Sequence, residues 1–411
     1  MFNKGKYILL QIALFTVSPI SSFLLTLRLY KSAISQVFFI LFATYFGFYM
    51  GFVFDLMRHY QDMLSFYVDR PLDEILNDPR IFILGPDYYH VTVKYLVSRF
   101  TTSHAVFGST VAFVYASSFM FFYGQLKQFY SKRLSYFSIL LLICVVTVVE
   151  FWWYQGVRFW TGVFFFMGMY LKYINTSKKG YLFLSLLSIY FHYTLITVVL
   201  AALINYGLSF VSKYYRYGIF AFSFFYKTLN FDFVPLLLKY VPWARDNLSI
   251  AITDERIHNN MRDYIAEFRA SENVVYGYRL PFLAFAAIIV LLIFKLNKIK
   301  FNHNYLLVFY LSITIWSIAN FGFGDITFYQ RFFEVAVLSL YVSVFALSAT
   351  YQKQVKRYRL ALTLFLILPV LYAILPTFVQ YRALLMQPEL FFGSFFMEWD
   401  GNALKINYAW K

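Results

Sequence analysis

The sequence predicts an all-α protein, a polytopic bundle of transmembrane helices that forms a single domain over residues 1–411. Apolar runs close to the roughly 20 residues that a membrane-spanning helix needs recur from Tyr7 almost to Tyr381. The composition is 61% hydrophobic and only 14% charged, far from that of a water-soluble domain. Because hydrocarbon offers no water to bare backbone groups, each apolar run has to be helical.

The predicted spans follow one another with short polar gaps between most of them. They are Tyr7–Leu27, Ala33–Phe54, Ala105–Leu126, Leu134–Trp153, Phe159–Tyr173, Arg279–Phe294, Tyr305–Asn320, Phe332–Thr350 and Leu360–Val379. The longer apolar region 181–231 contains one or three further crossings, and interruptions at His192 and Lys213 favour three short or broken segments. The total is about ten to twelve crossings.

The basic residues predict the orientation in a cytoplasmic (inner) membrane. If the spans alternate, the gaps richest in Lys and Arg all fall on one side, which the positive-inside rule assigns to the cytoplasm. These gaps follow Leu27, Leu126, Tyr173, Phe294 and Thr350. Both termini then lie outside, although Lys4 and Lys6 precede the first span. The net charge of +16 is spread over short loops, which indicates topology and contacts to anionic lipid rather than nucleic-acid binding.

Two long segments, 55–104 and 232–278, fall on the outer side and carry helix signals. Prolines followed by acidic residues, at Pro71 and Pro86, are typical of a helix first turn. Thr253 opens an amphipathic helix with a basic polar face. We expect such helices to lie at the outer membrane surface as a cap over the bundle.

Arginines on the outer side need an explanation, because the positive-inside bias disfavours them there. A guanidinium group donates two hydrogen bonds at once to phosphate oxygens, so a cluster of arginines fits a lipid diphosphate. Pairing with Asp, with Glu or with lipid headgroups is the alternative for any arginine in the large loops. The arginines assigned to the outer side are Arg58, Arg158, Arg245, Arg256, Arg262, Arg269, Arg279 and Arg331.

Three candidate functional residues lie at or within the predicted membrane. Arg158 stands among the aromatic rings of FWWYQGVRFW, and Arg331 begins a span with Glu334 one turn further on. An ion pair with Glu334 is the structural alternative for Arg331. His192, in YFHYTL, is either packed against a backbone carbonyl or an intramembrane functional group.

Carboxylates supply the remaining candidates. Asp87 either caps its helix or acts as a general base. Asp55 and Arg58, one turn apart at the end of a span, form either a surface pair or the mouth of a site. Asp325, in the gap before Arg331, is a further candidate. The sequence has no phosphate-binding glycine loop and no metal-ligand spacing, and its single cysteine forms no disulfide framework, so we expect chemistry without a metal or cofactor.

Several short motifs resemble, in this order, those of the EpsG family, the Wzy-like polysaccharide polymerases of bacterial membranes. The motifs are DLMRHY at Asp55–Tyr60, GPDYY at Gly85–Tyr89, VRFWTG around Arg158, FHYTL around His192 and QRFF around Arg331. The resemblance implies a glycosyltransferase-C-like helical fold. It also implies a polymerase that joins polyprenyl-diphosphate-linked oligosaccharide units on the outer face of the membrane, for O-antigen, capsule or exopolysaccharide synthesis.

On this interpretation, Arg58, Arg158 and Arg331 bind diphosphate, and His192 or Asp87 deprotonates the acceptor hydroxyl. The helix that carries Arg262 and Arg269 would guide the second lipid-linked glycan. Membrane lipids are implied partners, together with a chain-length regulator and a flippase. A flippase for the same lipid-linked glycan is the alternative function, although the sequence lacks the matching halves of many transporters. A membrane acyltransferase would need an early His and Arg pair that the first spans do not offer.

Overall fold

The computed structural model describes residues 4–28, 33–49, 55–78, 88–129, 135–149, 158–208, 213–228, 279–296, 303–322, 326–351, 355–369 and 371. Within these ranges the chain is helical apart from turns, and no strand occurs, so the prediction of an all-α bundle is confirmed. The helices are α1 Lys4–Val17, α2 Pro19–Arg28, α3 Ala33–Tyr49, α4 Asp55–Asp62, α5 Leu72–Leu76, α6 Tyr88–Phe100, α7 His104–Leu126, α8 Tyr136–Val148, α9 Phe159–Thr176, α10 Gly180–Leu184, α11 Ser188–Phe191, α12 Ile196–Gly207, α13 Lys213–Thr228, α14 Arg279–Leu296, α15 His303–Phe321, α16 Ile326–Thr350 and α17 Arg359–Pro369.

Helix α16 lies at the centre of the bundle. Nearly all of its side chains from Phe332 to Ala349 are buried, and it packs against α8, α14 and α15. A helix that is apolar on every side has no solvent face to present, so it is driven to the interior. The sequence of α16 therefore determines its central position.

Helices α3, α7 and α9 pack beside this core at close range. A Cβ atom built on Gly47 of α3 would lie 2.5 Å from the Cβ of Ala112 and 2.7 Å from the carbonyl oxygen of Gly108 in α7. Only glycine allows the two backbones to approach this closely. Small residues at helix contacts are typical of membrane helices, because bilayer proteins gain association energy from tight packing rather than from the hydrophobic effect.

The first predicted span, Tyr7–Leu27, is not one helix. The chain reverses at Ser18 and Pro19, so that α1 and α2 form a hairpin. Across this hairpin Gln11 Nε2 donates to Thr26 Oγ1 at 3.1 Å, and Ser22 Oγ donates to the Gln11 carbonyl at 3.3 Å. Both ends of the hairpin therefore lie at the same end of the bundle, and Tyr7–Leu27 is two helices instead of the one that the sequence predicts. Apolar length alone cannot reveal such a reversal, because both helices belong to one nearly continuous apolar run.

The described part of region 181–231 contains three short segments that run in alternating directions, as the sequence favoured. The chain bends at His192, beside Phe159 at the beginning of α9. It then returns through α12, where Asn205 Nδ2 donates to the Tyr170 hydroxyl in the second half of α9 at 3.0 Å. Helix α13 turns back once more and packs along α15.

The helix ends gather at two opposite ends of the bundle. At the first end, Phe129 packs on Tyr305 with 5.6 Å between ring centroids, the Tyr305 hydroxyl bonds Thr350, and Asn175 Nδ2 donates to the Gln125 carbonyl at 3.2 Å. The chain leaves α7, α9, α14 and α16 at this end, where the sequence predicts basic gaps. We call it the basic end. The opposite end carries α4, α6, the beginning of α9 and the beginning of α16, and we call it the capped end.

Two described helical stretches, His104–Phe129 and Phe328–Thr350, are long and apolar enough to cross a bilayer. Most of the other apolar helices are 10–17 residues long. Only the two long helices, among the described residues, have the length and composition of a membrane-spanning helix, and the number of crossings stays a prediction.

Candidate functional site

The capped end is built by α4 and α6, both within the segment 55–104 that the sequence assigns to the outer side. A π-helical turn, Met63–Tyr67, extends α4, and Pro71 precedes α5 with acidic residues in its first turn, as the sequence predicts. Helix α6 packs against α11, where the Tyr89 and Phe191 rings lie 5.1 Å apart. These contacts hold the cap over the beginning of α9.

A buried lysine links the two capping helices. Lys94 of α6 is only 1% exposed, and its ammonium group forms an ion pair with Asp62 of α4. The same ammonium lies 5.2 Å from the centroid of the Tyr67 ring. A buried cation is costly unless it is paired, so these contacts fix the position of Lys94 beside the inner face of the cap.

Two histidines lie side by side on the same helices. The rings of His59 and His90 are 5.0 Å apart and tilted by 36°, and the residues are 5% and 8% exposed. Nε2 of His59 and Nδ1 of His90 are buried and make no hydrogen bond to the described residues. Buried polar nitrogens without a partner are rare in proteins, and each one requires an explanation.

Arg158 lies where the cap meets the bundle. It is half-buried and occupies the N-cap position of α9, where the free N–H groups of the first helical turn add positive potential. Its charge acts on His59, His90 and Lys94 of the cap. The charge of Arg58 on α4 acts on the same two histidines, so the structure collects cations from three separate helices around this point.

Arg331 and His192 lie on the other side of the α9 terminus. The guanidinium carbon of Arg331 lies 5.7 Å from the Phe159 ring centroid, and the His192 ring meets the same phenyl ring edge-on at 5.6 Å. The charges of Arg158 and Arg331 both act on His192. Phe159 thus contacts both Arg331 and His192.

His192 has a clear structural role at the bend of its segment. Its backbone is extended, and Nδ1 accepts hydrogen bonds from the Thr194 N–H at 3.3 Å and from the Thr194 hydroxyl at 2.8 Å. Because Nδ1 uses its lone pair in this way, the ring proton lies on Nε2. His192 therefore offers an N–H donor to its surroundings.

Burial and neighbouring cations keep the cap imidazoles neutral. Burial lowers the pKa of His59 and His90 well below the ordinary value of 6.5, and the charges of Lys94 and Arg158 lower it further. Burial also lowers the pKa of Lys94 from 10.5 to about 8, against the opposing effect of the Asp62 carboxylate. Lys94 therefore stays mainly protonated at neutral pH, whereas both imidazoles are neutral.

Of the predicted site residues, the structure brings together Arg158, His192 and Arg331. It adds Arg58, which is exposed on α4 and whose charge acts on both cap histidines. Asp55 begins α4, and its side chain lies outside the described residues. Asp87, Arg262, Arg269 and Asp325 also lie outside them.

Sequence reasoning missed His59, Asp62, His90 and Lys94. The available signal was spacing: His90 and Lys94 are four residues apart among valines, so they share one face of an otherwise apolar helix. Two polar residues on the buried face of a capping helix indicate a candidate functional site. Among the described residues, no group of three or more His, Cys, Asp or Glu side chains could hold a metal ion.

No family model, curated protein or solved structure matches this chain.

Proposed function

We propose that this chain is a membrane polymerase that joins polyprenyl-diphosphate-linked oligosaccharide units on the outer face of the cytoplasmic membrane. The observation that carries the proposal is the convergence of Arg58, Lys94, Arg158 and Arg331 at the capped end, beside the N-terminus of α9. Clustered cations repel one another, and a bound anion reduces that repulsion. A diphosphate has the charge and the acceptor oxygens that such a cluster requires.

The division between the two bundle ends supports the membrane setting. Basic gaps mark one end, as the cytoplasmic side of a membrane protein requires, and the cationic site lies at the other end. Large apolar side chains of region 181–231 face outward, including Phe183 at 60% exposure and Phe225 at 60%. Such side chains suit a surface in contact with lipid rather than water.

The proposed chemistry is transfer of a glycan from one carrier lipid to another. Arg58, Arg158 and Arg331 hold the diphosphate and stabilise the charge that develops on it as the glycosidic bond to the carrier breaks. The Nε2–H group of His192 is a further donor on the same side. Aromatic rings such as Tyr88 and Tyr190, which stack at 6.4 Å beside the cap, offer faces for sugar rings. A glycosyltransferase-C-like architecture belongs to this proposal.

The test is elongation of lipid-linked glycans by the purified protein in liposomes. We expect Arg158→Ala and Arg331→Ala to lower the elongation rate by about 10²–10³-fold each, because each removes a donor to developing charge. Arg357→Ala is the matched control, since Arg357 is exposed at the basic end and packs on Tyr358. Both variants should insert into the membrane as the wild type does. Wild-type polymer lengths in Arg158→Ala and Arg331→Ala would refute the assignment.

A flippase for the same lipid is the second candidate. The observation that favours it is the break at His192 between short helices, since discontinuous helices line the substrate sites of many transporters. The same liposomes separate the two functions. A flippase moves the lipid between leaflets without lengthening the glycan, whereas a polymerase lengthens it.

A further inference from the structure

The His59–His90 pair is the feature of the capped end that anion binding alone does not explain. A diphosphate needs hydrogen-bond donors, and the arginines and Lys94 supply them. A neutral imidazole also provides an acceptor, and here two of them lie 5.0 Å apart with buried nitrogens that make no hydrogen bond to the described residues. An imidazole acceptor beside several cations is suited to a group that must lose a proton.

We propose that the His59–His90 pair accepts the proton of the acceptor hydroxyl, and that it does so only when a diphosphate occupies the neighbouring cations. The inference rests on the proposed polymerase function and deepens it. It assigns the base to the cap, on α4 and α6, because Nδ1 of His192 already accepts two hydrogen bonds from Thr194.

The proposed step balances without any further reactant. The acceptor hydroxyl oxygen forms a bond to the anomeric carbon of the donor glycan while its O–H bond breaks. The proton passes to an imidazole nitrogen of the pair. The bond between the anomeric carbon and the diphosphate oxygen breaks, and its electrons remain on the diphosphate, where the arginines bind them.

The charges around the pair explain why the diphosphate controls it. Arg58 and Asp62 lie on the same helix as His59, Lys94 lies on the helix of His90, and the charge of Arg158, at the beginning of α9, acts on both rings. His192 adds its ring from the bend after α11. The Asp62 carboxylate is paired with Lys94. The positive charges of Arg58, Lys94 and Arg158 therefore disfavour an imidazolium here, and a bound diphosphate reduces that repulsion.

This coupling predicts a split between two pH profiles of the wild-type protein. The base must be unprotonated, so activity falls as the pH drops through its pKa. In the free protein burial and, to a smaller degree, the cations depress that pKa, so kcat/KM should stay constant down to low pH. In the complex the diphosphate offsets the cations but not the burial, so the acidic limb of kcat should lie at a higher pH than that of kcat/KM.

The variants test which side chains carry this role. We expect His59→Gln and His90→Gln to lower kcat for glycan elongation in liposomes by about 10²-fold or more, the usual effect of losing a general base. Binding of undecaprenyl diphosphate without a sugar should change by less than about threefold, since the arginines remain. His104→Gln is the control, because His104 is exposed at the beginning of α7, outside the pair. Retained binding also shows that the variants are folded.

Different results would overturn different claims. If the wild type elongates glycans and both variants keep wild-type kcat, the pair is not the base and the polymerase assignment stands. If the acidic limbs of kcat and kcat/KM coincide in the wild type, the coupling to the diphosphate is wrong; this measurement needs no variant to fold. If the wild type binds the diphosphate but never lengthens a glycan, the proposed function fails and the inference fails with it.

Discussion

At the scale of single residues, Lys94 shows how burial and function compete. Its ammonium group is almost fully enclosed, and its partner Asp62 is nearly half exposed, so the ion pair only partly offsets the loss of hydration. A methionine at this position would pack as well without that cost. We therefore interpret Lys94 as part of the proposed anion site and not as a residue that stabilises the fold.

The pH dependence of stability tests this view of Lys94. Its pKa is about 8 in the folded protein and 10.5 ordinarily, so the unfolded chain binds more protons between these values. Stability from this group therefore rises as the pH increases from about 8 to 10.5. We expect Lys94→Met to remove this rise in thermal unfolding experiments in detergent. Lys356→Met, at an exposed position, should keep it. An identical pH dependence in Lys94→Met and the wild type would contradict the burial of this charge.

At the scale of secondary-structure elements, the contact between α9 and the broken segment positions His192. A Cβ atom on Gly162 would lie 2.3 Å from Leu195 Cδ1 and 2.8 Å from Phe191 Cβ. The end of the leucine can rotate away, but the phenylalanine Cβ is fixed to its backbone. Phe191 and Leu195, on either side of His192, therefore both pack against Gly162.

Gly162→Ala tests whether this contact matters for the site. We expect it to displace the segment around His192, to reduce elongation by at least about tenfold, and to lower stability by about 1–3 kcal/mol through overpacking. Gly124→Ala is the matched control, because a Cβ on Gly124 meets nothing within 4 Å and alanine favours the helix. Elongation assays and thermal unfolding on both variants provide the comparison. Full activity in Gly162→Ala would show that the close packing does not position the site.

At the scale of the whole molecule, the α1–α2 hairpin changes the expected topology. A single crossing at Tyr7–Leu27 would put the N-terminus on the side opposite Arg28, whereas the hairpin returns both ends to the same side. That side is the basic end, where α3 begins. We therefore propose that the N-terminus is cytosolic, which also removes Lys4 and Lys6 as exceptions to the positive-inside rule.

Cysteine labelling tests this topology. In a Cys144→Ala background, Lys4→Cys, Arg28→Cys and Arg357→Cys should react with a membrane-impermeant maleimide only from the cytosolic side. Thr102→Cys, which is exposed at the capped end, should react only from the outside. Labelling of Lys4→Cys from the outside would mean that the first segment crosses the membrane after all. Labelling of Thr102→Cys from the cytosol would place the cationic site on the wrong side for the proposed polymerase.

The sequence by itself determined the all-α class, the positions of most helices and the separation of the basic gaps from Arg58, Arg158 and Arg331. Helix formation and transfer into an apolar phase both depend on the composition of about 20 consecutive residues. The sequence alone therefore predicts these features. Only the tertiary structure decided that α1 and α2 form a hairpin, and that Lys94 meets Asp62 across 32 positions of the chain. The cap histidines, likewise, became candidates only once α4 and α6 were seen to pack together beside Arg158. Contacts between distant residues depend on how whole helices pack, and local apolar patterns do not encode that packing.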